Sequence, residues 1–206
     1  MEKKSEGKDY RDPVKTDRSA ARQHHHRGKS SEDHLDKNRI LETLKLKPGQ
    51  TVLDAGCGNG YMSFEFARQI GSAGRVFALD PDDRAIAGLR KRTGDIPVTP
   101  LVGDITTNTG LPAAAFDLIY LANVVHGFSA QQLQGFQVEV RRLLAPAGRL
   151  AIVELVKRPT PVGPPVELRF SPEDLVRILG LPWRATVEAG PWCYLLILGG
   201  VEAGLA

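Results

Sequence analysis

Thr51-Val52-Leu53-Asp54-Ala55-Gly56-Cys57-Gly58-Asn59-Gly60 passes from an apolar, β-favouring segment into a cluster of glycines headed by an acid. Thr51 to Asp54 reads as a buried strand. Tyr61 to Ile70 reads as a helix with Phe64, Phe66, Ala67 and Ile70 on its apolar side, closed by Gly71. Glycines between a strand and a helix let the backbone turn tightly and approach a ligand closely, because a Cβ would block it. The next strand, Arg75 to Asp80, ends in an acid about 20 residues beyond Gly60, and in dinucleotide folds an acid at that distance binds ribose hydroxyls. A dinucleotide site wants G-x-G-x-x-G, with the pyrophosphate resting on the helix N-terminus. Here the spacing is G-x-G-x-G, and Asp54 precedes it. A carboxylate aimed at the loop repels pyrophosphate and suits a ligand carrying an ammonium group. No G-x-x-x-x-G-K-[ST] run is present, so a P-loop is excluded.

Outward from this loop, strand and helix signals alternate. Pro81-Asp82-Asp83 opens a helix, with Pro pre-set for the first turn and acids at the positive dipole end. Val98 to Asp104 and Phe116 to Ala122 read as strands, and Ser129 to Leu144 as a helix ended by Pro146-Ala147-Gly148. Arg149 to Leu155 is a fifth strand. Ser171-Pro172-Glu173-Asp174 is a helix start with Ser as N-cap and Pro at the first position. Two last strands, Ala185 to Ala189 and Cys193 to Leu198, are joined through Gly190-Pro191-Trp192, too short for a parallel crossover, so they pair antiparallel. The reading is an α/β domain with seven strands, the first five parallel and covered by helices on both faces. On the N-terminal side, Leu35, Ile40, Leu41 and Leu44 make a helical stripe from about Ser30, stopped at Lys47-Pro48-Gly49.

The 206 residues carry a net charge of +3, all of it in residues 1–40, so the folded body is neutral. That argues against nucleic acid as partner, since such binders displace phosphate counterions with a basic excess. Residues 1–29 are densely charged with almost no aliphatics and read as a disordered arm; His24-His25-His26 within it reads as a solvated tract. Residues 30–206 read as one domain. No apolar run of about 18 residues and no signal-type h-region are present. Cys57 and Cys193 do not form a disulfide framework, and a reducing cytoplasm is the simplest home. No metal ligand is assigned, and a homo-oligomer is compatible with the sequence.

T-V-L-D-A-G-C-G-N-G resembles motif I of the class I S-adenosylmethionine (SAM)-dependent methyltransferases, and the likeness extends in motif order over roughly residues 35–200. V-F-A-L-D ending at Asp80 resembles motif II, whose acid holds the SAM ribose. V-G-D-I, Val102 to Ile105, resembles the motif whose acid meets the adenine amine while an apolar neighbour packs on the ring. Asp117 to His126 resembles motif IV, and Leu143 to Glu154 resembles the turn into strand five. The resemblance implies a Rossmann-like sheet of order 3-2-1-4-5-7-6 with strand seven antiparallel. It implies SAM as cofactor, with S-adenosylhomocysteine as product, and puts cofactor contacts at Asp54, Gly56, Cys57, Gly58, Asp80, Asp104, Ile105 and Asn123. The nearest subgroup is the small-molecule methyltransferases that include ubiquinone and menaquinone biosynthesis enzymes.

Methyl transfer from a sulfonium needs mainly proximity and alignment, and a base only where the nucleophile must lose a proton. His126, just past strand four, is the candidate catalytic residue, as general base or acceptor-positioning group; a helix-capping role competes evenly with it. Glu154 is a weaker candidate and reads as a salt-bridged rim acid. Asn123 is not followed by Pro-Pro-Tyr or Pro-Pro-Phe, which lowers methylation of exocyclic amines in nucleic acids. Cys57 and Cys193 read as small buried residues, Trp183 and Trp192 as packing groups, and Arg90-Lys91-Arg92 as a solvated helix end. The resemblance puts the acceptor lid at Ser30–Lys47 and Pro159–Arg169, with no separate substrate domain. The expected activity is methyl transfer to the O, N or C atom of a small-molecule acceptor. Methylation of RNA or protein, and a non-catalytic SAM-binding subunit, are the competing readings.

Overall fold

The computed structural model describes residues 34–200; the charged arm, the histidine tract and the helix start expected near Ser30 lie outside the described residues. Seven strands form one sheet: β1 (Thr51–Ala55), β2 (Arg75–Asp80), β3 (Val98–Val102), β4 (Phe116–Ala122), β5 (Leu144–Leu155), β6 (Trp183–Gly190) and β7 (Cys193–Gly199). Their spatial order is β3-β2-β1-β4-β5-β7-β6. The first five are parallel, and β7 runs antiparallel to both β5 and β6. Among the described residues the five α-helices are α1 (Lys37–Leu44), α2 (Tyr61–Ile70), α3 (Asp83–Thr93), α4 (Ala130–Leu143) and α5 (Pro172–Leu179).

Alternation along the strands divides the core in two. Val52, Val76, Ala78, Tyr120, Ala151 and Val153 face α1, α2 and α3, where they meet Ile40, Phe66 and Leu89. Their neighbours Leu53, Ile119, Leu121, Leu150 and Ile152 face α4 and α5 and meet Phe136, Val140 and Leu175. The central strands β1 and β4 are thus buried on both faces, which is why they read as continuous apolar runs, whereas the edge strand β3 is only partly covered. Aromatic pairs fix the layers: Phe66 meets Tyr120 edge to face with centroids 5.0 Å apart.

Several boundaries differ from the sequence reading, each for a local reason. α3 starts two residues later than Pro81 implies. Asp82 is its N-cap and accepts from the Arg84 and Ala85 amides at 2.9 and 3.3 Å, so Pro81 lies outside the helix. β3 stops at Val102, leaving Asp104 in the following turn, where its Oδ1 accepts from the Thr106 amide at 2.8 Å. α4 ends at Leu143, and Leu144 already pairs with Phe116, so Pro146-Ala147-Gly148 falls inside β5 at a register shift rather than in a helix-ending turn. Ser171 caps α5 as the sequence implies, and both Ser129 and Ser171 close reciprocal capping boxes.

Gly135 sits in the middle of α4, where glycine costs about 1 kcal/mol relative to alanine. The reason is a close approach: a Cβ there would overlap the Thr106 carbonyl oxygen. That contact presses α4 against the turn carrying Asp104 and Ile105. Gly135→Ala is therefore expected to lower stability by about 1–3 kcal/mol despite its better helix propensity, read as a lower midpoint in urea unfolding; an unchanged or raised midpoint would contradict the packing account.

Candidate functional site

In open parallel sheets, ligands bind beyond the carboxyl ends of the strands where the strand order reverses. Here that point lies between β1 and β4. The glycine loop is folded over it by three strand ends. The Leu79 carbonyl, next to last in β2, accepts from the Gly56 and Cys57 amides at 2.7 and 3.1 Å. The Asp80 carboxylate, one residue on, accepts from the Gly58 amide at 2.8 Å through one oxygen and from the Asp82 amide at 2.9 Å through the other. On the other side, a Cβ at Gly56 would lie 2.5 Å from Val124 Cγ2, just past β4. Gly56 also has φ +77°, so both its conformation and its surroundings demand glycine.

Asp54 does not face open solvent. It is 3% exposed, and its Oδ2 accepts from the Ser63 hydroxyl at 2.5 Å, which ties the end of β1 to the first turn of α2. Burial pushes its carboxyl up to about 7; the Ser63 bond opposes this and the charge of Asp80 adds to it. Cys57 is buried, and burial together with the two carboxylates Asp54 and Asp80 pushes its thiol well up, so it is an inert thiol and not a nucleophile. Cys193 is also buried and is pushed up to about 11. Ile105 is 4% exposed and packs in the core with Leu53 and Leu79; the exposed large apolar side chain at the end of β3 is Val102.

Past β4 the backbone turns sharply. Asn123 takes φ +57°, a left-handed conformation that Asn tolerates better than most residues and that concentrates at functional sites. Its amide donates to the Val153 carbonyl at 2.8 Å, while its side-chain Oδ1 is buried and, among the described residues, has no hydrogen-bond partner. Val125–Gly127 form a single 3₁₀ turn. Glu154, at the end of β5, is fully buried and not a rim acid. Its Oε1 accepts from the Val125 and His126 amides at 2.7 and 3.2 Å, and its Oε2 meets His126 Nδ1 at 2.7 Å. Burial alone would lower the His126 pKa; the charge and hydrogen bond of Glu154 outweigh that and raise it, with Arg169 opposing.

Two groups were not singled out from sequence. Ser63 reads only as a polar residue in an amphipathic helix. Arg169 closes the proline-rich segment after β5, is 3% exposed, and spends its donors on that segment. It donates to the carbonyls of Val156, Arg158, Val162 and Pro164 and to the Thr160 hydroxyl, at 2.7–3.1 Å. The expected lid segment is therefore wrapped around a buried cation. Arg92 is more than a solvated helix end: its Nη1 donates to the Asn59 carbonyl at 2.9 Å and its guanidinium lies 4.9 Å from the Phe64 ring centroid, bracing the loop from α3. Trp183 is exposed, whereas Trp192 packs against the core and lies 5.4 Å from the ring of His34.

A doubly covered parallel sheet with a β7–β6 hairpin, an acid-led glycine loop at its switch point and an acid ending β2 define a Rossmann-like small-ligand domain of the methyltransferase type. Comparison with known proteins agrees. Residues 52–148 match the family described as a methyltransferase domain. The ubiquinone/menaquinone biosynthesis C-methyltransferase UbiE of Paraburkholderia xenovorans is 30% identical over 159 residues, covering 75% of this chain and 62% of that protein. Nocamycin O-methyltransferase of Saccharothrix syringae is 31% identical over 125 residues, covering 59% of this chain and 44% of that protein. A SAM-dependent methyltransferase from Aquifex aeolicus superposes with a TM-score of 0.74 at 28% identity, covering 84% of this chain and 93% of that one. By fold and by these matches the chain is similar to the class I SAM-dependent methyltransferases. It spans between 34% and 62% of the length of the curated relatives compared with it.

The residues present fit the cofactor of that family. A buried, unpartnered acceptor at Asn123 and a carboxyl poised near neutrality at Asp54 suit an ammonium, and Asp80 ends β2 as a ribose-binding acid must. The state of Asp54 has a measurable consequence. An acid whose folded pKa is raised contributes stability that is fully present below its unfolded value, about 3.9, and is lost as the pH rises through about 7. Urea unfolding of ligand-free protein from about pH 5 to about pH 8 should show stability falling with pH. Asp54→Asn should flatten that fall, and equal slopes in the two proteins would contradict the assignment.

Proposed function

We propose that this chain transfers a methyl group from SAM to a small-molecule acceptor, with residues 30–206 forming the SAM-binding unit. The observation that carries the reading is the convergence of Asp54, the Gly56–Gly60 loop, Asp80 and the unpartnered Asn123 Oδ1 at one switch point. When bound, SAM supplies a methyl on a sulfonium, already an activated electrophile. The protein's own work is binding and alignment. In this reading Asp80 holds the ribose hydroxyls, exchanging its bond to the Gly58 amide for them. Asn123 and, through the loop, Asp54 receive the ammonium end. The turn at Asp104–Ile105 takes the adenine edge, while Gly56, Cys57 and Gly58 give backbone closeness to the ligand. His126 stands on the acceptor side.

A small acceptor is favoured because the segment between β5 and α5 is short and held by Arg169, so that among the described residues no domain is inserted there to bind a polymer. Relatives that methylate carbon and oxygen atoms of small molecules support the same class. The neutral folded body weighs against RNA. Among the described residues no helix is long and apolar enough to cross a membrane, and we place the protein in the cytoplasm.

Isothermal titration of the full chain with SAM and S-adenosylhomocysteine tests the reading. Both should bind, and Asp80→Ala should weaken them by about 10–100-fold, the worth of hydrogen bonds to a charged group. An absence of binding at high micromolar ligand would remove the proposal. Methyl transfer to an acceptor panel that stops with Asp80→Ala would exclude a purely regulatory SAM-binding role.

A further inference from the structure

Glu154 lies in β5 within the otherwise apolar run Leu150–Leu155. A carboxylate with no exposure is retained at such a place only where donors replace its lost water. Three do so, and their arrangement is directional. Oε1 is occupied by two backbone amides, Val125 and His126, which cannot exchange roles. Oε2 is thereby committed to the imidazole, 2.7 Å from Nδ1. A carboxylate can only accept, so Nδ1 must carry a proton. In the neutral ring that leaves Nε2 as the proton-accepting nitrogen. The backbone amide of His126 is held by the same carboxylate as its ring, so the residue is fixed at both ends. Among the described residues, the charged groups facing the ring are Glu154 from β5 and Arg169 from the segment before α5.

We infer that Glu154 is a positioning residue that locks His126 in the Nδ1–H tautomer, making Nε2 a base, and that the acceptor is accordingly one whose nucleophilic atom gives up a proton, a hydroxyl or enol. This rests on the methyl-transfer reading above. The acceptor oxygen forms its bond to the methyl carbon as the methyl–sulfur bond breaks. The sulfur keeps the electron pair of that bond and becomes a neutral thioether. The oxygen's proton passes to His126 Nε2 and from there to solvent. An acceptor with no proton to lose, such as a tertiary amine, would leave the Glu154–His126 pair without a task.

The tautomer can be read without any acceptor. In the full chain labelled with ¹⁵N-histidine, long-range proton–nitrogen correlation spectra should show His126 protonated at Nδ1 and bare at Nε2 above its pKa, and that pKa should lie above the ordinary histidine value. In Glu154→Gln the carboxamide oxygen still serves the two amides, so its NH₂ faces the ring. The proton should then move to Nε2 and the His126 pKa should fall. Binding of S-adenosylhomocysteine should stay within about twofold of wild type, the scatter expected for a site not in contact with it. A wild-type ring protonated at Nε2, or an unchanged tautomer in Glu154→Gln, would overturn the positioning role. If Glu154→Gln does not fold, the wild-type spectrum alone decides. Loss of S-adenosylhomocysteine binding by wild type, with the tautomer as described, would instead remove the methyl-transfer reading. With an acceptor panel of phenols, enols and tertiary amines, activity confined to the amines would overturn the acceptor class. Phenol or enol methylation whose kcat, and not KM, falls in Glu154→Gln would support it.

Discussion

The closure of the Gly56–Gly60 loop between β2 and β4 is the constraint on which the rest of the site depends. On one side Leu79 and Asp80 hold the loop by its amides; on the other Val124 rests where a Cβ of Gly56 would be. The ends of three strands that are not consecutive in sequence are thereby brought to one place. The left-handed glycines are needed for the turn, but the exclusion of a side chain at Gly56 is what lets the β4 turn approach. That turn carries Asn123, Val125 and His126, so the glycine loop and the residues past β4 are packed against each other rather than independently placed.

Buried carboxylates at this end of the sheet are treated in two different ways. Asp54 is held by Ser63, through its hydroxyl and its backbone amide, and burial still raises its carboxyl to about 7, so that it can change charge near neutral pH. Glu154 has three donors, two from the backbone, and serves as a fixed support for His126. One strand end is therefore responsive and another rigid. Arg169 adds a second rigid element, gathering four carbonyls and a hydroxyl of the segment after β5 around one guanidinium. In the proposed reading the acceptor side is bounded by structure that is already formed, in line with catalysis by alignment.

Much of this was legible in the sequence, because it is written in local signals. The strand–glycine–helix passage at Thr51–Ile70, the acid at Asp80, the Ser171 cap and the short β6–β7 connection each depend on neighbouring residues alone. What was not legible depends on distant pairing. Pro146 reads as a helix stop, yet α4 ends earlier because Leu144 finds Phe116 on β4. Glu154 reads as a rim acid, since nothing in its neighbours announces amide donors about thirty residues earlier; its place in an apolar strand was the available signal. Arg169 lies in a proline-rich stretch that looks solvated until the chain folds round it. Asp54 was read as aimed at the loop, whereas Ser63 draws it into the core.

Hydrogen exchange of the full chain, with and without saturating S-adenosylhomocysteine, tests the central claim most directly: that the strand ends around the switch point form one ligand site. The account predicts added protection at Gly56–Tyr61, Asp80–Asp82, Asp104–Thr106 and Asn123–Gly127 together, with the β6–β7 hairpin unchanged. Protection confined to other segments, or none at these four, would contradict it.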